Sequence, residues 1–164
     1  MKFFAVVLLF IVYSSSTTTY YLVRHAEKAC DDCNTCGLST DGENRAELLA
    51  DYLSNKGIDT IFSSQCLRAR NTAQPIADLL NEGVSIYQTG QLSSFINMLK
   101  SINTTKQILV VGHSNQIPVI IDSLAHQQVF ISDTDYDNLF IIKKSRFFRT
   151  TVTMKKLTYG AMSQ

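Results

Sequence analysis

The chain has 164 residues, 45% hydrophobic and 18% charged, with a net charge of +1. That length and balance predict one globular domain with a sizeable core, and the near-neutral charge excludes a global field that would draw nucleic acid or an acidic membrane. There is no tryptophan, no low-complexity tract and no internal repeat.

The N-terminus has its own pattern. Lys2 precedes an apolar run over 3–13, followed by Ser14, Ser15 and Ser16. A charged start, a short apolar stretch and small residues read as a cleavable signal peptide over 1–16. With Ser14 and Ser16 as the small residues before the cut, the mature domain would span 17–164. The run is too short to cross a bilayer, which takes about 20 apolar residues, and no cysteine follows it closely, so neither a stable membrane anchor nor a lipoprotein is expected. The reading is a secreted or periplasmic protein.

Residues 18–23 turn apolar and stop abruptly at Arg24, as a buried strand does when its carboxyl end meets a polar site. A loop follows that holds Cys30, Cys33 and Cys36, with Cys66 further on. In an oxidising compartment these predict at least one disulfide. A zinc site would want a second cysteine pair or spaced histidines, which the chain lacks. A bridge from the loop to Cys66 is compatible with this order, but the pairing stays open. Thr40 and Glu43 fit a capping box ahead of a helix with Ala46, Leu49, Ala50 and Leu53 on one face, ended by Gly57.

A second strand is expected over 58–63, then a helix over 67–80 that Pro75 kinks or interrupts. A weak third strand over 84–87 precedes a helix lined by Phe95, Met98, Leu99 and Ile102. Residues 107–112 form the strongest strand. A helix follows over 114–124, with Pro118 tolerated near its first turn. Strands over 138–143 and 147–157 close the chain as a hairpin. The mild basic cluster 143–149 reads as an exposed strand edge. The order predicts an α/β fold, a three-layer α/β/α sandwich whose sheet is mostly parallel with one antiparallel edge strand.

In such sheets ligands gather beyond the carboxyl ends of the strands. Arg24 and His25 end the first, Ser63 and Ser64 the second, and His113 the fourth. Arg68 follows shortly after the second. Neutral imidazole is a good nucleophile at physiological pH, and guanidinium forks match phosphoryl oxygens and their spreading charge. Nearby arginines also keep a histidine neutral. His25 is thus the candidate nucleophile of a phosphoryl transfer. Arg24, Arg68 and His113 are its candidate phosphate-binding partners.

Three stretches occur in order: Leu22-Val23-Arg24-His25-Ala26-Glu27-Lys28, Ser64-Gln65-Cys66-Leu67-Arg68-Ala69-Arg70-Asn71-Thr72-Ala73 and Val110-Val111-Gly112-His113-Ser114-Asn115. Together they resemble the histidine phosphatase superfamily, also called phosphoglycerate-mutase-like, over about 19–157. The resemblance implies a phosphorylated His25 in a pocket completed by Arg24, Arg68 and His113, with no metal or other cofactor. The substrate class is a phosphorylated small molecule or a phosphoprotein, with no nucleic-acid partner and no oligomeric state implied. The chain looks like the small, open members, which include the short bacterial phosphohistidine phosphatases. It departs from the family at Ala26, where glycine is common. The stretch 87–94 also lacks a carboxylate, where larger members place a general acid. Asp133, Asp135 and Asp137 are the nearest alternatives, although a solvated loop explains them equally well.

Three rival readings are weaker. Gly112-His113-Ser114-Asn115-Gln116 imitates a nucleophile elbow, but Gln116 replaces the second glycine and no acid-then-histidine pair follows at a usable distance. A mutase would need a lid. A phosphate-binding module without turnover remains the main alternative to an enzyme.

Overall fold

The computed structural model describes residues 15–163; the signal-peptide reading lies almost wholly outside them. In chain order the elements are β1 (Ser16–Arg24), α1 (Thr40–Leu53), β2 (Thr60–Ser64), α2 (Leu67–Leu80), β3 (Val84–Tyr87), a 3₁₀ turn (Thr89–Gln91), α3 (Leu92–Ser101), β4 (Lys106–Gly112), α4 (Ile117–Ala125), β5 (Asn138–Arg146) and β6 (Thr150–Thr158). They build one six-stranded sheet ordered β3-β2-β4-β1-β5-β6.

The alternation of strand side chains explains the three layers. Tyr20 and Leu22 of β1, Ile108 and Val110 of β4, and Phe140 and Ile142 of β5 pack beneath α3 and α4. Their neighbours Tyr21, Val23, Leu109, Val111 and Leu139 face α1 and α2. Strands covered on both faces are apolar throughout, which is why β1 and β4 were legible as buried strands.

β1, β2, β3 and β4 run parallel, β5 is antiparallel to β1, and β6 is antiparallel to β5. The antiparallel strand therefore lies inside the sheet, between β1 and β6, and β6 forms the edge. β1 and β5 share an eight-residue register from Ser16 opposite Arg146 to Val23 opposite Leu139. This places the start of β1 at the hairpin end of the molecule and Arg24 at the other.

Some local expectations shift. Ser39, not Thr40, caps α1, accepting from the Gly42 amide at 3.2 Å. A Cβ on Gly42 would lie 2.2 Å from the Glu27 carbonyl oxygen, so this helix start docks directly onto the loop after His25 and only glycine fits. The third helical residue is thus Gly42, and no glutamate reaches back. Helix α2 runs through Pro75 without interruption. α4 begins at Ile117, because the amides of Gln116 and Ile117 both turn back to the His113 carbonyl. Residues 147–149 belong to the hairpin turn rather than to β6.

All four cysteines are paired, Cys30 with Cys36 and Cys33 with Cys66. The first bridge closes the loop on itself. The second joins it to the N-cap residue of α2, where the Leu67 amide also donates to the Cys33 carbonyl at 2.8 Å.

Candidate active site

Arg24, His25, Arg68 and His113 meet in one open groove of about 540 Å³ beyond the ends of β1, β2 and β4. Parallel pairing of β1 with β4 sets Arg24 opposite Gly112, and the His25 amide donates to the Gly112 carbonyl at 2.8 Å. The two histidines follow adjacent strands at the same level, so their rings meet edge to face with centroids 5.1 Å apart. A Cβ on Gly112 would lie 2.6 Å from the Tyr87 hydroxyl, so a larger residue at this crossing would push the buried Tyr87 ring from its place.

His25 is 3% exposed. Its Nδ1 lies 2.8 Å from the Ala26 carbonyl oxygen. A carbonyl only accepts, so Nδ1 carries the proton and Nε2 keeps the lone pair. The Nε–H of Arg68 donates to Nε2 at 3.2 Å, in agreement with that tautomer. Burial, reinforced by His113, Arg24 and Arg68, brings the His25 pKa down to about 3, against a smaller upward pull from the Ala26 carbonyl. His113 falls to about 4 through burial and the charges of Arg68 and Arg24. Its Nε2 lies 2.8 Å from the Ser64 hydroxyl.

The motif around Arg68 now has a physical reason. The Thr72 hydroxyl donates to the Arg68 carbonyl at 2.8 Å and accepts the Ala26 amide at 2.9 Å, pinning α2 against the loop after His25. Ala69 and Ala73 are fully buried, which allows that close approach. The Arg68 Nη1 donates to the carbonyls of Asp31 and Asp32 at 3.3 and 3.5 Å, so the disulfide-bound loop steers its guanidinium.

Arg24 is 4% exposed. Its Nη1 donates to the carbonyls of Ser132 and Asp135 at 2.9 and 3.2 Å, and its guanidinium lies 4.1 Å from the centre of the Tyr136 ring. Its Nε is buried with no partner. A buried cationic donor left unpaired is costly, and an oxyanion in the groove would satisfy it.

Among the described residues, Asp133 is the one carboxylate lining this groove. It accepts from the Ser114 hydroxyl at 2.8 Å and lies 4.0 Å from Arg24 Nη2. Asp135 lends the site only its backbone carbonyl. The Asp137 carboxylate accepts from the Ser163 amide. Tyr136, Ser114 and the ion pair of buried Arg45 with half-buried Glu27 were missed from sequence, since all act through tertiary neighbours. A second hollow of about 560 Å³ on the far side of Asp133 and Tyr136 is bordered by that pair. There the Arg45 guanidinium is spent on Glu27 and on two backbone carbonyls, so the reactive groups belong to the groove.

Two neutral histidines, His25 buried and His113 half-buried, link stability to pH. Their folded pKa values lie below the unfolded reference of about 6.5, so the unfolded chain binds more protons between those limits. Stability is full above pH 6.5 and falls as the pH drops towards 4 and then 3. Each histidine costs about 1.4 kcal/mol per pH unit across its window. Thermal melts from pH 7 to 4 should therefore decline, and the decline should flatten in His25→Asn. An unchanged slope in that variant would contradict the burial argument.

The fold and the groove define an α/β protein in which two histidines and two arginines share one open groove beyond the ends of parallel strands. The sequence model of the histidine phosphatase superfamily (branch 1) matches residues 20–94, a stretch that holds Arg24, His25 and Arg68 but ends before His113. No curated protein matches the chain. Solved structures share the fold. One is a protein assigned as phosphohistidine phosphatase SixA from Agrobacterium tumefaciens, with 20% identity and a TM-score of 0.61 over 81% of this chain and 96% of that one. Another is a protein assigned as an alpha-ribazole-5'-P phosphatase from Escherichia coli, with 17% identity and a TM-score of 0.69 over 90% of this chain and 98% of that one. A variant of phosphoserine phosphatase from Entamoeba histolytica, bound to phosphoserine, has 17% identity and a TM-score of 0.58 over 81% of this chain and 96% of that one. By sequence the chain resembles the histidine phosphatase superfamily over residues 20–94, and over most of its length it shares its fold with these solved structures.

Proposed function

We propose that the protein is a phosphatase that hydrolyses a phosphomonoester or phosphoramidate through a phosphorylated His25. The observation that carries this reading is the His25 ring: neutral, with Nδ1–H tied to a carbonyl and the Nε2 lone pair facing Arg68. In the first step Nε2 attacks phosphorus, the bond to the leaving oxygen or nitrogen breaks, and the leaving group takes the electron pair and then a proton. Arg68 gives up its bond to Nε2 and, with Arg24 and His113, holds the non-bridging oxygens as their charge spreads. In the second step water attacks the phosphohistidine, the N–P bond breaks, and inorganic phosphate leaves. No metal or other cofactor enters this scheme.

The leaving group tests the scheme. Asp133 is the carboxylate within reach, and its side chain is 91% exposed to solvent and already accepts from the Ser114 hydroxyl, so among the described residues no buried carboxyl faces the leaving group. An aryl phosphate, which needs no acid, should turn over at least about 100-fold faster than an alkyl phosphate near neutral pH. Phosphoramidates should also be good substrates, since their nitrogen is readily protonated. Equal aryl and alkyl rates across the pH range would show a working acid, with Asp133 first in line. No turnover of any of them would favour a binding module.

Export belongs to the same proposal. The two disulfides suit an oxidising compartment, in keeping with a secreted or periplasmic enzyme whose mature chain starts near Thr17. The first residue of the exported protein reports this directly; Met1 there would refute the cleavage.

A further inference from the structure

The loop between His25 and α1 keeps its own shape. The Asp32 carboxylate accepts the amides of Asn34 and Thr35, each at 2.8 Å, and the Thr35 hydroxyl at 2.9 Å. The Cys36 amide donates back to the Asp32 carbonyl at 3.2 Å, and the Cys30–Cys36 bridge closes the same turn. At its base the loop is paired from Lys28 to Leu38, and the Ala29 amide donates to the Gly37 carbonyl. None of these contacts reaches α2. The attachment to α2 is made at Cys33, whose sulfur is bonded to Cys66 and whose carbonyl takes the Leu67 amide.

Arg68 is what that attachment serves. Its Nη1 donates to the carbonyls of Asp31 and Asp32, the two residues before Cys33, while its Nε donates to His25 Nε2. Cys66 itself borders the groove. When Arg68 turns from Nε2 to a phosphoryl group, the two loop carbonyls are the contacts that keep its guanidinium in place.

We infer that the Cys33–Cys66 bridge is a positioning element for Arg68, so that the phosphate pocket is complete only when this bridge is closed. The inference rests on the phosphatase reading above. The Cys30–Cys36 bridge lies within the loop and has no such part. A guanidinium displaced by about 1 Å costs a site of this kind up to about 100-fold.

Opening the bridge takes two electrons from a dithiol. Cys33 is half-buried and Cys66 is 4% exposed, so the first thiolate attacks the Cys33 sulfur. The S–S bond breaks and Cys66 leaves as a thiolate. As the N-cap residue of α2, it leaves at a helix end that favours negative charge. The second thiol of the dithiol then displaces Cys33 and closes its own disulfide. The two cysteines take up the two protons. The pocket is thereby coupled to its compartment. A chain still in a reducing cytoplasm has an incomplete pocket, and oxidation after export completes it.

The test measures two quantities on the mature oxidised protein, turnover of an aryl phosphate and binding of inorganic phosphate by calorimetry. Cys33→Ser/Cys66→Ser should lose about ten-fold or more in both, whereas Cys30→Ser/Cys36→Ser should lose less than about three-fold. Dithiothreitol should lower the wild type in the same way, and reoxidation should restore it. In an Arg68→Ala background, Cys33→Ser/Cys66→Ser should change phosphate binding by less than about two-fold, because the bridge acts through Arg68. Equal losses in the two bridge variants would overturn the inference, as would a full loss that persists without Arg68. A Cys33→Ser/Cys66→Ser chain that is unfolded at the assay temperature by thermal melting would also overturn it, since the bridge would then hold the fold and not one side chain. An oxidised wild type that neither turns over substrate nor binds phosphate would fail earlier, on the pocket itself, and would take this inference with it.

Discussion

His25→Ala is expected to abolish turnover, lowering kcat by at least about 10⁴-fold, the scale seen when an enzyme loses its nucleophile. The residue's place is fixed by the backbone, through its amide on the Gly112 carbonyl, and the flanking Ala26 amide stays bound to Thr72. The variant should therefore keep its fold and its two arginines. His113 is the fair comparison, because it shares the groove and is also held neutral. It is bound to Ser64 and can serve the phosphoryl group as a donor, so His113→Ala should cost about 100-fold and leave measurable activity. Steady-state rates on an aryl phosphate separate the two roles. A His25→Ala enzyme within ten-fold of the wild type would remove His25 from the mechanism.

The largest effect on stability is expected at Arg45. Its Nε reaches both Glu27 oxygens at 2.9 Å, its Nη2 reaches one of them at 2.7 Å, and its Nη1 donates to the carbonyls of Tyr159 and Ala161 at 3.1 and 2.9 Å. One buried side chain thereby ties the loop after His25 to α1 and to the chain beyond β6. Arg45→Met would leave the mostly buried Glu27 carboxylate without its cation and two carbonyls without donors. The expected loss is about 3–5 kcal/mol, a fall in Tm of roughly 10 °C or more for a domain of this size. Arg45→Lys should recover little, since an ammonium cannot form the fork. Glu27→Gln/Arg45→Met should be less damaged than Arg45→Met alone, because the stranded charge is gone. A Tm within 2 °C of the wild type in Arg45→Met would contradict this account.

Much of the site could be read in advance because its residues end buried strands. β1 and β4 are apolar until they meet Arg24-His25 and Gly112-His113, and that break in pattern is a local property. Arg68 was legible for a similar reason, at the start of an amphipathic helix that follows a strand. The cap of α1 was misplaced by one residue because Ser39 and Thr40 are both good caps. The choice is made by Gly42 lying against the Glu27 carbonyl, a contact between segments fifteen residues apart. Four cysteines allow three pairings; that Cys33 meets Cys66 depends on where the loop crosses the start of α2. The place of the antiparallel strand was missed in the same way. Nothing local to residues 138–146 says that they insert beside β1 rather than at the edge. Tyr136 gave no signal at all, since an aromatic residue in a polar loop acquires its role only by covering Arg24.

Covalent labelling tests the central claim most directly. The wild-type enzyme, mixed with a phosphate-labelled aryl substrate and quenched within one turnover, should carry one labile phosphoryl group. Phosphohistidine is acid-sensitive, so the quench and the peptide mapping are done at alkaline pH. The label should lie on the peptide containing His25 and should disappear in His25→Ala. A label on the peptide containing His113, or an enzyme that turns over substrate and never takes up label, would contradict the mechanism.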